Sequence, residues 1–304
     1  MMEIMFFGMR KNMRILLTGS EGFIGKNLQT ALLDNGVASV TTIEQSYMDY
    51  TGWETSLFKA LDKVDMIFHV GAITDTMEKD VNFMMKYNCE FSKVLFDLAE
   101  ISKIPIVFSS SAACYGTETF GMPTNLYGWS KYLTECYGVA KCTNFVALRY
   151  FNVYGEGESH KGKMASVAYQ AMLNGQDKKV LSPLALKEKF KLFPKRVLEQ
   201  EDGSTIIKQA KRDFVYIKDV VSANIHCLSG IESGIYDVAT GKSNTFEEVL
   251  TYLSIGYNYY EESKIPAGYQ FNTKSDKTKW LPDWKPEYNL KTGLKEYKNI
   301  IGVK

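Results

Sequence analysis

The segment Thr18-Gly19-Ser20-Glu21-Gly22-Phe23-Ile24-Gly25 decides the fold, because it sets three glycines between an apolar run and an amphipathic stretch. The apolar run, 14–18, is typical of a buried parallel strand, and residues 23–35 carry apolar side chains at helical spacing. In such a unit the first glycine permits a tight turn, the second lets the backbone approach a phosphate, and the third lets the helix pack closely on the strand. The segment therefore predicts a dinucleotide-binding turn, with a pyrophosphate at the helix N-terminus.

Outward from this turn, strand patterns alternate with helix patterns as far as about residue 150. The further predicted strands are 37–43, 66–70, 104–110 and 145–150, and the predicted helices are 57–61, 82–103 and 127–140. In the long helix we expect Leu95, Leu98 and Ile101 to face inward. The alternation predicts an α/β fold, a Rossmann-like doubly wound parallel sheet.

After about residue 155 the alternation weakens, which predicts a smaller C-terminal α/β substrate-binding domain. We expect an N-terminal extension at 1–12 and a dinucleotide-binding domain at 13–160, to which 211–240 return. The substrate-binding domain then comprises 161–210 and 241–304.

The composition excludes several classes of protein. Of 304 residues 45% are hydrophobic, which is enough for a large core, and 36 Lys and Arg nearly balance 35 Asp and Glu. A net charge of +1 provides no broad basic surface for nucleic acid or an anionic membrane. The 5 cysteines and 3 histidines have no metal-ligand spacing. We expect a cytoplasmic protein that binds no metal, no nucleic acid and no membrane.

A second motif, Tyr127-Gly128-Trp129-Ser130-Lys131, places a phenol and an ammonium on one face of a predicted helix. A phenol with a pKa of ~10 is a poor base at neutral pH, and a neighbouring ammonium, together with a cationic nicotinamide ring, would lower that pKa towards use. Ser109, Ser110 and Ser111 close the fourth strand, where a serine can donate a hydrogen bond to an oxygen that changes charge. The combination predicts acid–base chemistry beside a bound dinucleotide.

Glu44, at the end of the second predicted strand, is a candidate acceptor for the hydroxyls of an adenosine ribose. An acid at this position favours NAD over NADP, because it repels a 2′-phosphate. The alternative is an ordinary surface carboxylate.

These segments resemble the extended short-chain dehydrogenase/reductase superfamily, whose signature is TGxxGxxG, a serine or threonine at the end of strand four, and YxxxK. Within it the chain is similar to the ADP-L-glycero-D-manno-heptose 6-epimerase family. The resemblance rests on SSAACYG at 110–116, RYFNVYG at 149–155, HKGKMASVA at 160–168 and KRDFVY at 211–216. It implies an isomerase that inverts C6 of an ADP-activated manno-heptose by transient oxidation to a 6-keto sugar with bound NADP. NAD is the alternative, because the loop after Glu44 lacks the lysine that the family uses near the adenosine phosphate.

Site residues follow from the resemblance, position by position. It implies that the catalytic residues are Tyr127, Lys131 and Ser111, with Lys161 as a second acid/base. The implied cofactor-binding residues are Gly19, Gly22, Phe23, Ile24, Gly25, Glu44, Gly71, Ala72, Asn88, Tyr127, Lys131 and Val153. The implied substrate-binding residues are Ser111, Asn152, Lys163, Arg212 and Tyr269.

The chemistry of epimerisation also gives a reason to expect two acid/base groups. Epimerisation requires that a hydride is removed from one face of the carbon and returned to the other, and a cofactor held by the enzyme faces only one side of the sugar. The ketone must therefore turn, which brings its oxygen next to a different proton donor. Tyr127 and Lys161 are the candidates; alternatively, Lys161 is an ordinary solvated loop lysine. The other functions to consider are a 4-epimerase or dehydratase acting on another NDP-sugar, and a non-catalytic cofactor-sensing protein. In every catalytic case we expect a nucleotide-sugar substrate and a homo-oligomer.

Overall fold

The computed structural model describes residues 12–117, 121–176, 190–199, 205–261 and 270–302. The strands in chain order are β1 (Arg14–Thr18), β2 (Ser39–Ile43), β3 (Met66–His69), β4 (Ile106–Ser111), β5 (Phe145–Tyr150), β6 (Asn152–Tyr154), β7 (Phe190–Leu192), β8 (Arg196–Glu199), β9 (Thr205–Lys208), β10 (Lys211–Tyr216), β11 (Gly234–Val238), β12 (Ser243–Thr245) and β13 (Tyr257–Tyr259). The α-helices are α1 (Phe23–Asp34), α2 (Trp53–Ala60), α3 (Val81–Met85), α4 (Phe91–Ile101), α5 (Leu126–Lys141), α6 (Val167–Gln176), α7 (Ile217–His226), α8 (Phe246–Leu253) and α9 (Leu290–Ile300).

The main sheet has six strands in the order β11-β5-β4-β3-β1-β2, and every neighbouring pair is parallel. From β1 the chain crosses first to β2 on one side and then to β3 on the other side. The carboxyl ends of β1 and β3 therefore border a crevice, the place where open α/β sheets bind ligands. The prediction of a Rossmann-like doubly wound parallel sheet is confirmed.

Both faces of this sheet are buried. In β1 the side chains of Ile15 and Leu17 enter one apolar cluster and Leu16 enters the other, because successive residues of a strand point to opposite faces. Leu28 of α1 covers the first face, and Leu95 of α4 covers the second. The near-continuous apolar runs of the sequence are explained by this burial on two sides.

The predicted long helix at 82–103 is interrupted. A π-turn at Lys86–Glu90 joins α3 to α4, and it contains the buried Asn88. The expectation that Ile101 faces inward was wrong, because its side chain is 72% exposed, whereas Leu95 is fully buried. Two steps of three residues from Leu95 to Ile101 rotate the side chain by about 120° on the helix surface, away from the core.

Beyond the main sheet, a three-stranded sheet has the order β12-β10-β6, with β6 parallel to β10. Only Phe151 separates β6 from β5, so the chain passes at once from the main sheet to the smaller one. This step places Asn152 and Val153 over the carboxyl edge of the main sheet. The sequence contained no separate signal for β6. The division into domains stays a prediction. Within the described part of the chain, no helix combines the length and apolar character needed to span a membrane.

Candidate active site

The turn between β1 and α1 has room only for glycine at two positions. Gly19 has φ = +72°, and a Cβ there would lie 2.4 Å from the Cα of Gly71. A Cβ on Gly25 would lie 1.9 Å from the carbonyl oxygen of Gly19. The close packing leaves the backbone N–H groups at the start of α1 next to the crevice, and the arrangement fits a pyrophosphate. Gly22 forms the same turn, with its N–H donating to the Gly19 carbonyl over 3.1 Å.

Glu44 follows β2 and is hydrogen-bonded to this turn. Its Oε1 accepts a hydrogen bond from the Ser20 hydroxyl over 2.7 Å and one from the Glu21 N–H over 3.3 Å. The carboxylate is thus held beside the turn, where an acid can serve as a ribose acceptor.

A buried histidine, which the sequence motifs did not reveal, links the turn to α4. Ser92 donates to the Asn88 carbonyl over 2.5 Å, so its oxygen must accept from Nε2–H of His69, 2.7 Å away. The Nδ1 of His69 then accepts from the Thr18 hydroxyl over 2.7 Å, and that hydroxyl accepts from the Gly71 N–H over 3.1 Å. Burial lowers the pKa of His69 to about 3, so the ring is neutral.

Asn88 organises the loop after β3. Its Oδ1 accepts from the Ile73 N–H over 2.7 Å, and its Nδ2 donates to the Ile73 carbonyl over 3.0 Å and to the Ser130 hydroxyl over 2.9 Å. With 3% of its surface exposed, Asn88 acts through this loop, which includes Gly71 and Ala72, and through α5.

Tyr127 lies in the first turn of α5, which Asn125 caps by accepting the Gly128 N–H over 2.8 Å. Burial raises the pKa of the Tyr127 phenol to about 12, although its hydrogen bond with Ser111 acts in the opposite direction. Ser111 is the last residue of β4, so the strand end and the helix start bring the two hydroxyls together. The phenol is protonated at neutral pH and can donate a proton.

Lys131 lies one helical turn further along α5 and is 3% exposed. Its Nζ donates to the Ser109 carbonyl over 2.8 Å and is 4.7 Å from the centre of the Phe108 ring. Burial lowers the pKa of Lys131 to about 8. The expected lowering of the Tyr127 pKa by this ammonium is not present in this arrangement, because burial of the phenol dominates.

Lys161 comes from the loop between β6 and α6. Its Nζ is 5.4 Å from the centre of the Phe23 ring, at the start of α1. Burial lowers the pKa of Lys161, and the neighbouring carboxylate of Glu158 opposes this change. A lysine whose pKa is lowered can exchange a proton closer to neutral pH than a solvated one.

Tyr127, Ser111 and Lys161 meet in one cavity of about 330 Å³ at the carboxyl edge of the main sheet, whereas Glu44, Asn88 and Lys131 do not line it. The predicted site residues that line it are Phe23, Ile24, Ser111, Tyr127, Asn152, Val153 and Lys161. Sequence reasoning missed Thr74 and Thr76, which follow β3, and Phe246, which starts α8. The position of the two threonines after a predicted strand was the available signal, whereas no motif marks Phe246.

Of the remaining predicted substrate-binding residues, only Arg212 has a described side chain, and it does not line the cavity. Arg212 is 8% exposed, its Nη1 donates to the Lys211 carbonyl over 2.8 Å, and its guanidinium carbon is 5.6 Å from the centre of the Phe246 ring. It therefore supports a residue that lines the cavity. The side chain of Lys163 and the whole of Tyr269 lie outside what the structure describes.

Comparisons with known proteins identify the family and the fold. The family model of the NAD dependent epimerase/dehydratase family matches residues 15–239. The crystal structure of ADP-L-glycero-D-manno-heptose-6-epimerase from Helicobacter pylori is 26% identical, with a TM-score of 0.75 and coverage of 97% of both chains. A UDP-N-acetylglucosamine 4-epimerase from Methanobrevibacter ruminantium, in complex with UDP-N-acetylmuramic acid, is 23% identical and covers 96% of this chain and 100% of its own, with a TM-score of 0.75.

The UDP-glucose 4-epimerase from Thermotoga maritima, solved with UDP-glucose, is 22% identical. It covers 95% of this chain and 99% of its own, with a TM-score of 0.71. The two 4-epimerases share the fold. The family match spans most of the chain, from β1 to the end of β11. The chain therefore belongs to the NAD dependent epimerase/dehydratase family.

Proposed function

We propose that this protein is a nucleotide-sugar epimerase that inverts C6 of an ADP-activated manno-heptose, converting the D-glycero into the L-glycero form. The observation that carries the proposal is that Tyr127 and Lys161, two groups able to exchange a proton, line one cavity from two different elements. A C6 epimerase needs such a pair, because each epimer presents its hydroxyl to a different group.

The proposal includes a bound nicotinamide dinucleotide, and the residues present fit one. Gly19 and Gly25 leave space that a Cβ would fill, and α1 starts at the place where a pyrophosphate would lie. When bound, the nicotinamide would supply the hydride acceptor and donor that transient oxidation and re-reduction at C6 require. The resemblance implies NADP, and the Glu44 carboxylate beside the turn supports NAD as the alternative.

The roles of the chain's own side chains follow from their surroundings. The half-buried Tyr127 phenol, which desolvation keeps protonated, exchanges a proton with the C6 oxygen of one epimer. Lys161 serves the oxygen of the other epimer, and Ser111 donates a hydrogen bond to the oxygen that changes charge. Lys131 supports Tyr127 from within α5, and Asn152 contacts the sugar at the carboxyl end of β5.

A 4-epimerase or a dehydratase of the same family would use Ser111, Tyr127 and Lys131 but would have no role for Lys161. The position of Lys161 at the cavity favours the C6 reaction, as does the similarity to the heptose epimerase from Helicobacter pylori. A non-catalytic cofactor-sensing protein would not need all four of the residues Ser111, Tyr127, Lys131 and Lys161. A homo-oligomer and a cytoplasmic location stay predictions.

Turnover of a substrate panel tests the proposal. The purified protein should interconvert the two C6 epimers of an ADP-heptose without net change in the cofactor. It should leave C4 of UDP-glucose and UDP-N-acetylglucosamine unchanged. Inversion at C4 of a hexose, with no reaction of the heptose, would replace this function by the 4-epimerase.

A further inference from the structure

The loop that carries Lys161 is organised around one buried carboxylate, that of Glu158, which is 0% exposed. Its Oε1 accepts hydrogen bonds from the Gly155 N–H over 3.1 Å, from the Ser166 hydroxyl over 2.8 Å and from the Tyr297 hydroxyl over 3.2 Å. Its Oε2 accepts from the Ser166 N–H over 2.5 Å. The sequence G-E-G-E-S-H-K-G offered no sign that this glutamate, rather than its neighbour, is buried.

These contacts hold both ends of the loop. Gly155 directly follows β6, and Ser166 directly precedes α6. Between them the Lys161 N–H donates to the Glu158 carbonyl over 3.0 Å. Ser166 and Lys161 both line the cavity, so the carboxylate fixes the segment of backbone from which Lys161 enters it.

The carboxylate also acts on Lys161 through its charge. Burial disfavours the ammonium form of Lys161, and the Glu158 charge favours it. Tyr297 from α9 also contacts the Glu158 carboxylate, and Tyr169 from α6 and Glu156 from the same loop act in turn on Tyr297. Removal of the Glu158 charge should therefore lower the pKa of Lys161.

We propose that Glu158 is a positioning residue for Lys161, held in turn by Tyr297, and that it supports proton exchange with one C6 epimer only. Tyr127 is held independently, by α5 and Ser111. Loss of Glu158 should then impair the half of the reaction that Lys161 serves and spare the half that Tyr127 serves. The inference rests on the proposed two-base function.

The test compares Glu158→Gln with Glu156→Gln. Glu156 is a matched control, because it lies in the same loop and accepts a hydrogen bond from a tyrosine, Tyr216, over 2.7 Å. The keto sugar formed from each pure epimer is measured by rapid quench in a single turnover. Misplacement of a reacting group by ~1 Å costs about 10²-fold. We expect Glu158→Gln to slow one epimer by about this factor, the same epimer that Lys161→Met slows, and Glu156→Gln to slow neither.

A second readout separates positioning from general damage. The rate of keto-sugar formation from the epimer that Lys161 serves should depend on the ionisation of Lys161. In Glu158→Gln this pH dependence should move to lower pH, and the pH dependence for the other epimer should stay in place. If Glu158→Gln does not fold, Tyr297→Phe decides, because it keeps the carboxylate and removes one donor. It should give a smaller loss, confined to the same epimer.

Two results overturn the inference: equal losses for both epimers in a folded variant, or no loss for either. Lys161→Met distinguishes this failure from failure of the proposed function. If Lys161→Met slows one epimer but the Glu158 and Tyr297 variants show no such asymmetry, only the positioning role is wrong. If Lys161→Met oxidises both epimers at the wild-type rate, the two-base function itself is wrong.

Discussion

The Ser20 hydroxyl donates a hydrogen bond of 2.7 Å to the carboxylate of Glu44, and this bond joins the turn after β1 to the end of β2. The acid is therefore oriented before any ligand arrives. A carboxylate held here can accept from ribose hydroxyls and repels a phosphate at the same place.

Substitution of Glu44 should change the preference between the two cofactors. Glu44→Gln removes the charge, so we expect affinity for NADP to rise relative to NAD. Two unit charges ~4 Å apart in water interact by about 1 kcal/mol, which corresponds to at least about a fivefold change in the ratio of dissociation constants. Calorimetric titration with each nucleotide measures it. Ser20→Ala keeps the charge of Glu44 and serves as the control, for which we expect a smaller change in the ratio. An unchanged ratio in Glu44→Gln would show that Glu44 does not select between NAD and NADP.

Removal of either proton-exchanging group should abolish epimerisation, because a full cycle uses both. Tyr127→Phe and Lys161→Met should each slow epimerisation by about 10²–10⁴-fold, the usual scale for general acid–base groups. In single turnovers they should block keto-sugar formation from opposite epimers. Circular dichroism spectra provide the control for folding. If both variants lose keto-sugar formation from the same epimer, the protein does not use two separate bases.

The close packing of the turn predicts a strong effect at Gly25. An alanine there would bring its Cβ to 1.9 Å from the Gly19 carbonyl oxygen, so α1 must move or the turn must open. We expect Gly25→Ala to reduce the free energy of unfolding by about 1–3 kcal/mol, the range for an overpacked site, and to weaken dinucleotide binding. Gly256→Ala is the matched control, since nothing lies within 4 Å of its added Cβ. Equal stabilities in urea titrations of the two variants would contradict this account.

The buried His69 predicts a pH dependence of stability. Its pKa is about 3 in the fold and ordinarily 6.5, so between these values the unfolded chain binds the proton and the folded chain does not. The contribution is fully present above pH 6.5 and is lost as the pH falls, at about 1.4 kcal/mol per pH unit. Urea titrations between neutral and mildly acidic pH measure this slope. His69→Gln should flatten the slope, and a wild-type slope in His69→Gln would show that another group controls it.

Much of the fold was predictable because its signals are local. A parallel strand buried on both faces must be apolar throughout, and a phosphate-binding turn must carry glycine where a Cβ would meet backbone, so β1, the turn and β5 follow from short segments. The spacing of Tyr127 and Lys131 likewise needs only one turn of helix. These features depend on neighbours in the chain.

The sequence by itself thus determined the sheet, the glycine turn and the residue types of the candidate site, since each depends on local geometry and alternation. Only the tertiary structure decided which charged groups are buried and what they contact. Glu158 is buried where Tyr297 of α9 contacts its loop, and His69 is neutral because its ring is buried among Phe91, Phe96 and Phe108. Contacts between segments distant in the chain create these environments, and burial and hydrogen bonding there, rather than residue type, set the charge state of each group.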